Sequence, residues 1–182
     1  MNSSQQELRI VIAGNGFPRR LLLLAIGLFC AASPLLSPPA AAQTRYDNLI
    51  LRDFDGMRFE LKDIVARNKV TVLTFWASWC SPCRRELKEL NRILHSPEGK
   101  NLAVVAVNID ESKDIIAARR FLKDSNIRIT ALYDDQEVAR RAYQVTSLPR
   151  TFVIDSGGVI RSEHHGFSTT EAIEKAINRC LQ

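Results

Sequence analysis

Cys80 and Cys83, in the string Trp79-Cys80-Ser81-Pro82-Cys83, are the residues of this chain whose type and spacing best suit chemistry. Val70 to Trp76 before them is β-branched and aromatic and reads as a strand buried on both faces. Leu87, Leu90 and Leu94 after them mark a helix with one apolar stripe. The pair therefore falls where a strand hands over to a helix. The first N–H groups of a helix lack intrahelical partners, and the dipole makes that end partly positive. A thiolate there is stabilised, with a pKa below the free value of about 8.5. Two intervening residues let the second sulfur close a disulfide, and Pro82 suits a first turn where its missing N–H costs nothing. The arrangement predicts Cys80 as the exposed attacking thiol and Cys83 as the inner thiol that resolves a mixed disulfide.

Two other readings use the same spacing. A zinc site needs two further ligands, and Cys180, His95, His164 and His165 supply no matching second pair. A structural disulfide closing so small a loop would constrain little chain. Thiol–disulfide exchange is the stronger reading.

The elements that must position this pair follow from periodicity. Ile50 to Phe59 contains Asp55-Gly56, a turn pair that predicts a small N-terminal β-hairpin. Leu102 to Ile109 reads as a second buried strand, Ser112 to Lys123 as a helix with Ile115, Ala118 and Leu122 on one side. Ile129 to Tyr133 reads as a short strand, and Gln136 to Tyr143 as a short helix. Thr151 to Ile154 and Val159 to His164 flank a turn at Asp155-Ser156-Gly157-Gly158. A closing helix puts Ile173, Ala176, Ile177 and Cys180 on one face. This order predicts an α/β fold with a central mixed sheet and helices on both sides. No linker interrupts residues 49–181, so residues 43–182 read as one domain.

Residues 1–42 read differently. Arg19-Arg20 precede the apolar run Leu21 to Phe29, Pro34 closes it, and Ala40-Ala41-Ala42 offers a small-residue end. That is the pattern of a secretory signal peptide, with an uncleaved signal anchor as the alternative. Either predicts an exported, periplasmic protein, soluble or held at the membrane by its N-terminus. The segment carries three arginines and one glutamate, so the formal charge of +5 falls to +3 in the remainder. That surplus is spread out, with pairs such as Arg84-Arg85 read as solvated helix faces, and gives no reason to expect nucleic acid. An exported protein relying on structural disulfides usually carries more cysteines; here a close pair and the distant Cys180 remain. Cys180 lies on the apolar face of its helix and reads as core, with a second redox role as the alternative.

The segment Phe75-Trp76-Ala77-Ser78-Trp79-Cys80-Ser81-Pro82-Cys83-Arg84-Arg85-Glu86 closely resembles the active-site segment of the TlpA/ResA-like thioredoxins. The resemblance extends over roughly Leu49 to Ile177. It takes in Val104-Val105-Ala106-Val107-Asn108-Ile109 with the helical insert that follows, and Ser147-Leu148-Pro149-Arg150-Thr151-Phe152-Val153-Ile154-Asp155. It implies a thioredoxin-like fold with an N-terminal β-hairpin and an inserted strand–helix unit. It also implies a cis peptide bond at Pro149, facing the cysteine pair, with neighbouring backbone free to pair with a substrate peptide. The alternative for Pro149 is an ordinary trans proline at a strand start. Trp79, Pro82, Leu148 and Pro149 are then the expected substrate-binding residues, and Cys80, Cys83 and Glu86 the expected catalytic ones. Glu86 shares a helix face with Cys83 and would accept a proton as that thiol attacks. The alternative for Glu86 is a solvent-facing acid near a helix start, favoured by the dipole.

The resemblance further implies reduction of protein disulfides without a bound cofactor, with electrons from a membrane thiol carrier of CcdA/DsbD type. The implied targets are CxxC or CxxCH thiols of apocytochrome c or of copper-site proteins. One rival is a disulfide oxidant or isomerase on the same fold, disfavoured because Ser81-Pro82 lacks the histidine of the strongly oxidising pair. Another is a non-enzymatic copper-delivery protein, whose cysteines are spaced differently.

Overall fold

The computed structural model describes residues 44–181, so the expected signal segment lies outside the described residues. β1 (Ile50–Asp53) and β2 (Arg58–Glu60) form the expected hairpin, with Ile50 opposite Glu60 and Arg52 opposite Arg58. Its turn closes because the Asp53 carboxylate accepts the Asp55 and Met57 N–H groups, at 2.9 and 2.8 Å. Gly56 there has φ +89°, a conformation that a Cβ would strain.

The chain continues through α1 (Leu61–Arg67), β3 (Val70–Trp76), α2 (Ser81–Leu94), β4 (Leu102–Asn108), α3 (Ile115–Asp124) and β5 (Thr130–Tyr133). α4 (Val138–Ala142), β6 (Arg150–Asp155), β7 (Ile160–His165) and α5 (Thr170–Leu181) complete it. The strands form one seven-stranded sheet in the order β2-β1-β5-β4-β3-β6-β7. β3 runs parallel to β4 and antiparallel to β6, and β4 runs parallel to β5, so the sheet is mixed as predicted.

β3 lies inside the sheet between β4 and β6, and each of its residues is buried. Alternate side chains divide between two cores. Leu73 and Phe75 join Val105, Val107, Phe152 and Tyr143 on one face, beneath Leu61 and Val65 of α1. Val70 and Val72 meet Leu90 and Ile93 of α2 and Ile173, Ala176 and Ile177 of α5 on the other. Trp76 extends that second face toward Ala77, Cys80, Cys83, Leu87 and, on α3, Ala118. Each fully buried aliphatic side chain contributes about 1.5–3 kcal/mol against exposure.

Three elements differ from the sequence reading. α1 was not expected, because two buried residues in seven make too short a periodicity. Ser112–Asp114 winds as a 3₁₀ turn before α3, whose buried residue is Ala118. Of the short helix read over Gln136 to Tyr143, residues 138–142 are α-helical, entered through Glu137 at φ +56°. Cys180 is half-buried at the rim of its cluster, not fully in the core; that burial raises its thiol pKa. Among the described residues no helix is long and apolar enough to cross a membrane.

Candidate active site

β3 delivers the chain to the cysteine pair at its carboxyl end, and a polar knot holds the connection. Both oxygens of the buried Asp110 carboxylate accept the Ser78 N–H, Oδ1 at 3.1 Å and Oδ2 at 2.8 Å. Asn108 Nδ2 donates to Oδ2 at 2.9 Å, and the Asp110 N–H returns to Asn108 Oδ1 at 3.2 Å. The Ile109 N–H donates to the Trp76 carbonyl and the Cys80 N–H to that of Ala77. The turn from β3 into α2 is thereby tied to the end of β4.

Cys80 is the N-cap of α2, and Pro82 lies in the first turn, which contains no acidic residue. Cys80 and Cys83 are joined as a disulfide with their Cα atoms 5.3 Å apart. The Cys83 N–H donates to Cys80 Sγ at 3.2 Å, so an otherwise orphan helix donor points at the sulfur that would carry the charge. Cys83 is fully enclosed, as expected of the inner thiol. Cys80 is 5% exposed, much less than the sequence reading had it, because Trp76, Leu87 and half-buried Leu148 pack into the same cluster. Little of Cys80 is left for a reagent to reach.

Of the expected substrate-binding residues, Pro82 lies in the first turn of α2 and the others lie near the same sheet end. Trp79 is 67% exposed beside Cys80. The Leu148–Pro149 bond is cis. Because Phe75 pairs with Arg150, the antiparallel register brings buried Pro149 level with Trp76, at the same sheet end as the cysteines. Among the described residues, Thr146, Ser147 and Leu148 form no main-chain hydrogen bond, whereas the Pro149 carbonyl accepts from the Gly166 N–H. Trp79 and Leu148 also border a groove of about 600 Å³ that runs past Asp110 and Tyr133. An extended peptide laid along residues 146–148 would find backbone donors and acceptors there.

Glu86 is buried, not solvent-facing. Its Oε1 accepts from Thr74 Oγ1 at 3.1 Å and from Thr151 Oγ1, and the two hydroxyl oxygens are 2.8 Å apart. Thr74 and Thr151 are cross-strand partners of β3 and β6, so the carboxyl is clamped under α2 against the sheet. Three oxygens in mutual contact share two hydroxyl protons, so one of the three contacts lacks a proton of its own while the carboxyl is ionised. Oε2 is buried without a hydrogen-bond partner among the described residues. Burial raises the Glu86 pKa above the ordinary carboxyl value. The two threonine hydroxyls and the nearby Ser168 backbone offset this in part, although the latter closes no well-formed hydrogen bond. Among the described residues no hydrogen bond joins Glu86 to the Cys83 sulfur; the two lie one turn apart on α2.

The histidines considered as ligands are otherwise engaged. His164 contacts Ser162 Oγ, and His165 meets Arg150 and Glu163. Asp110, Thr74 and Thr151 were missed by sequence reasoning. A signal existed: Thr74 and Thr151 put hydroxyls inside strands read as buried, where polar groups need partners.

The chain is similar to several known proteins. The model of the AhpC/TSA family matches residues 42–163. The thiol-disulfide oxidoreductase ResA of Bacillus subtilis (strain 168) is 32% identical over 131 residues, 72% of this chain and 71% of that protein. ResA of Bacillus thuringiensis subsp. konkukian (strain 97-27) is 30% identical over 132 residues, 72% and 74% of the two chains. Among solved structures, the thiol:disulfide interchange protein DsbE from Chlorobium tepidum superimposes with a TM-score of 0.69. It is 31% identical, covering 77% of this chain and 97% of that one.

Proposed function

The chain belongs to the AhpC/TSA family and is a thiol–disulfide oxidoreductase, and from that premise we propose that it is an exported reductant of protein disulfides. The observation that carries this reading is the asymmetry of the pair: Cys80 alone reaches the surface, beside Trp79 and unpaired backbone, while Cys83 waits beneath it.

In the forward reaction the Cys80 thiolate attacks a sulfur of the target disulfide. One target cysteine leaves and takes a proton, and a mixed disulfide remains. Cys83 loses its proton and attacks Cys80 Sγ, releasing the second target thiol and leaving the enzyme oxidised by two electrons. The burial-raised pKa of Glu86 brings its proton affinity nearer that of a thiol, which suits a proton store one turn from Cys83. Reduction is favoured over oxidation because a strong oxidant needs a heavily stabilised reduced form. Here Cys80 Sγ receives one backbone donor, from Cys83, Ser81-Pro82 adds no cation, and the Arg84 and Arg85 guanidinium groups are drawn onto the Phe121 and Phe167 rings.

The proposed targets are CxxC or CxxCH thiols of apocytochrome c or of copper-site proteins, with a membrane thiol carrier of CcdA/DsbD type restoring the dithiol. The proposed setting is the periplasm, reached through residues 1–42 as a cleaved signal or an anchor. A Cys83→Ala variant tests the proposal, since it halts the reaction at the mixed disulfide on Cys80. Trapped partners are expected to carry CxxC or CxxCH sites. The reduction potential is expected in the range of roughly −270 to −180 mV spanned by thioredoxin and protein disulfide isomerase. A value near about −120 mV, the strongly oxidising end, refutes the reductant reading.

A further inference from the structure

Immediately after Cys83 the chain places Arg84 and Arg85, and one turn later Lys88, all exposed on α2. The Arg84 N–H donates to the Cys80 carbonyl as the first helical bond of α2, so this turn follows the reactive cysteine directly in the chain. The Arg84 guanidinium lies over the Phe121 ring of α3, 5.7 Å from its centroid. That of Arg85 lies over Phe167, between β7 and α5, at 5.0 Å. With Lys88 they border a hollow of about 420 Å³, closed by Ser81, Phe121 and Ser125.

Among the described residues none of these three cations forms an ion pair, whereas Arg92 on the same helix is paired with both Glu89 and Glu174. Glu86, between them in sequence, is turned inward to Thr74 and Thr151 and offers them nothing. Positive side chains in the early turns of a helix also oppose its dipole. Three unpaired cations therefore stand where local electrostatics disfavours them, two of them held in place by aromatic faces.

We infer that Arg84, Arg85 and Lys88 form a docking collar for an acidic segment of the protein whose disulfide or thiol is brought to Cys80. The inference rests on the reading that Cys80 exchanges with protein partners, and it names their charge. The groove bordered by Trp79 and Leu148 is lined by Asp110, Glu111, Asp114, Asp134, Asp135 and Glu137 against Lys113 and Arg140. An acidic stretch is consequently directed to the α2 side and away from that groove. The alternative anionic surface, a bilayer, is disfavoured because seating it on this collar would cover Cys80.

The test uses the full chain and synthetic peptides with one intramolecular disulfide. The disulfide is flanked by four aspartates on its N-terminal or its C-terminal side, by four lysines, or by neutral residues. Second-order rates of the reduced protein are divided by its own rate with neutral hydroxyethyl disulfide. The faster aspartate isomer is expected to exceed the neutral peptide about three- to tenfold at low salt and to lose that advantage near 0.5 M salt. Arg84→Gln/Arg85→Gln/Lys88→Gln erases the ratio. Binding of a cysteine-free aspartate peptide to the oxidised protein, read by isothermal titration calorimetry, is expected to weaken by a similar factor in that variant. Equal normalised rates for aspartate and neutral peptides overturn the collar, as does a preference that survives the triple substitution. So does binding confined to phosphatidylglycerol vesicles, which would make the partner a membrane. If the aspartate peptide binds as expected while hydroxyethyl disulfide is not reduced, the collar stands and the redox reading fails.

Discussion

Replacing Asp110 separates a role in holding the cysteine turn from mere surface polarity. Its carboxylate, 4% exposed, takes the Ser78 N–H at 2.8 and 3.1 Å and the Asn108 side-chain N–H at 2.9 Å. Asp110→Ala strips two buried donors of their acceptor, and each unsatisfied buried donor costs about 1–3 kcal/mol. Asp110 also borders the groove, so entering water recovers part of this. The net expectation is about 2–4 kcal/mol by the same accounting. Asp110→Asn keeps both bonds only with its oxygen at the Oδ2 position, which sets its NH₂ at the Oδ1 position, 3.1 Å from the Ser78 nitrogen, donor against donor. The isostere should therefore cost about 1–2 kcal/mol, the worth of one charge-assisted acceptor lost beside a buried donor. Equilibrium urea unfolding of the oxidised protein reads both values, and both reduced variants should also react more slowly with hydroxyethyl disulfide. An alanine variant within about 0.5 kcal/mol of the parent, the range of an ordinary surface change, refutes the reasoning. An asparagine variant less stable than the alanine one refutes it too.

Two further outcomes follow from burial. The raised pKa of Glu86 means that the folded state binds more protons than the unfolded one between the ordinary value of 4.5 and the folded value. Its contribution to stability is thus fully present below 4.5 and is lost as pH rises through the folded pKa. Glu86→Gln cannot titrate, so the stability of the variant relative to the parent should increase from pH 4.5 to pH 8 in urea unfolding; a pH-independent difference contradicts the assignment. Leu90, fully buried between the sheet and α5, should cost about 2–5 kcal/mol when changed to alanine. The same unfolding assay reads it, and a loss under about 1 kcal/mol would mean that α2 is not seated on Val70 and Val72 as described.

Such measurements bear on how the fold divides its polar groups. The face of the sheet under α2 is apolar at Val70 and Val72, then polar at Thr74, then aromatic at Trp76. A carboxyl inserted into that series is tolerated because two hydroxyls meet it, and it lies between the structural half of α2 and the reactive half. The same helix carries its exposed cations on the side away from the sheet, so one element supplies the thiols, the buried acid and the charged rim.

Residues close in sequence determined much of this by themselves. The run Val70 to Trp76, the stripe Leu87-Leu90 and the spacing of Cys80 and Cys83 already place a redox pair at a strand–helix junction, since side-chain direction repeats every two or 3.6 residues. The Asp55-Gly56 turn was likewise legible, because its backbone conformation depends on its own residues. Tertiary structure alone decided that Glu86 meets Thr74 and Thr151, which requires β3 and β6 to pair antiparallel in one register across 77 residues. It also decided that Asp110 clasps Ser78, that Leu148 packs into the cluster around Cys80, and that Arg84 and Arg85 lie on rings from other elements. A one-residue slip in that register would send every β6 side chain to the opposite face. Register is set by how the whole core packs and not by any short stretch of chain, so these meetings cannot be read from local pattern.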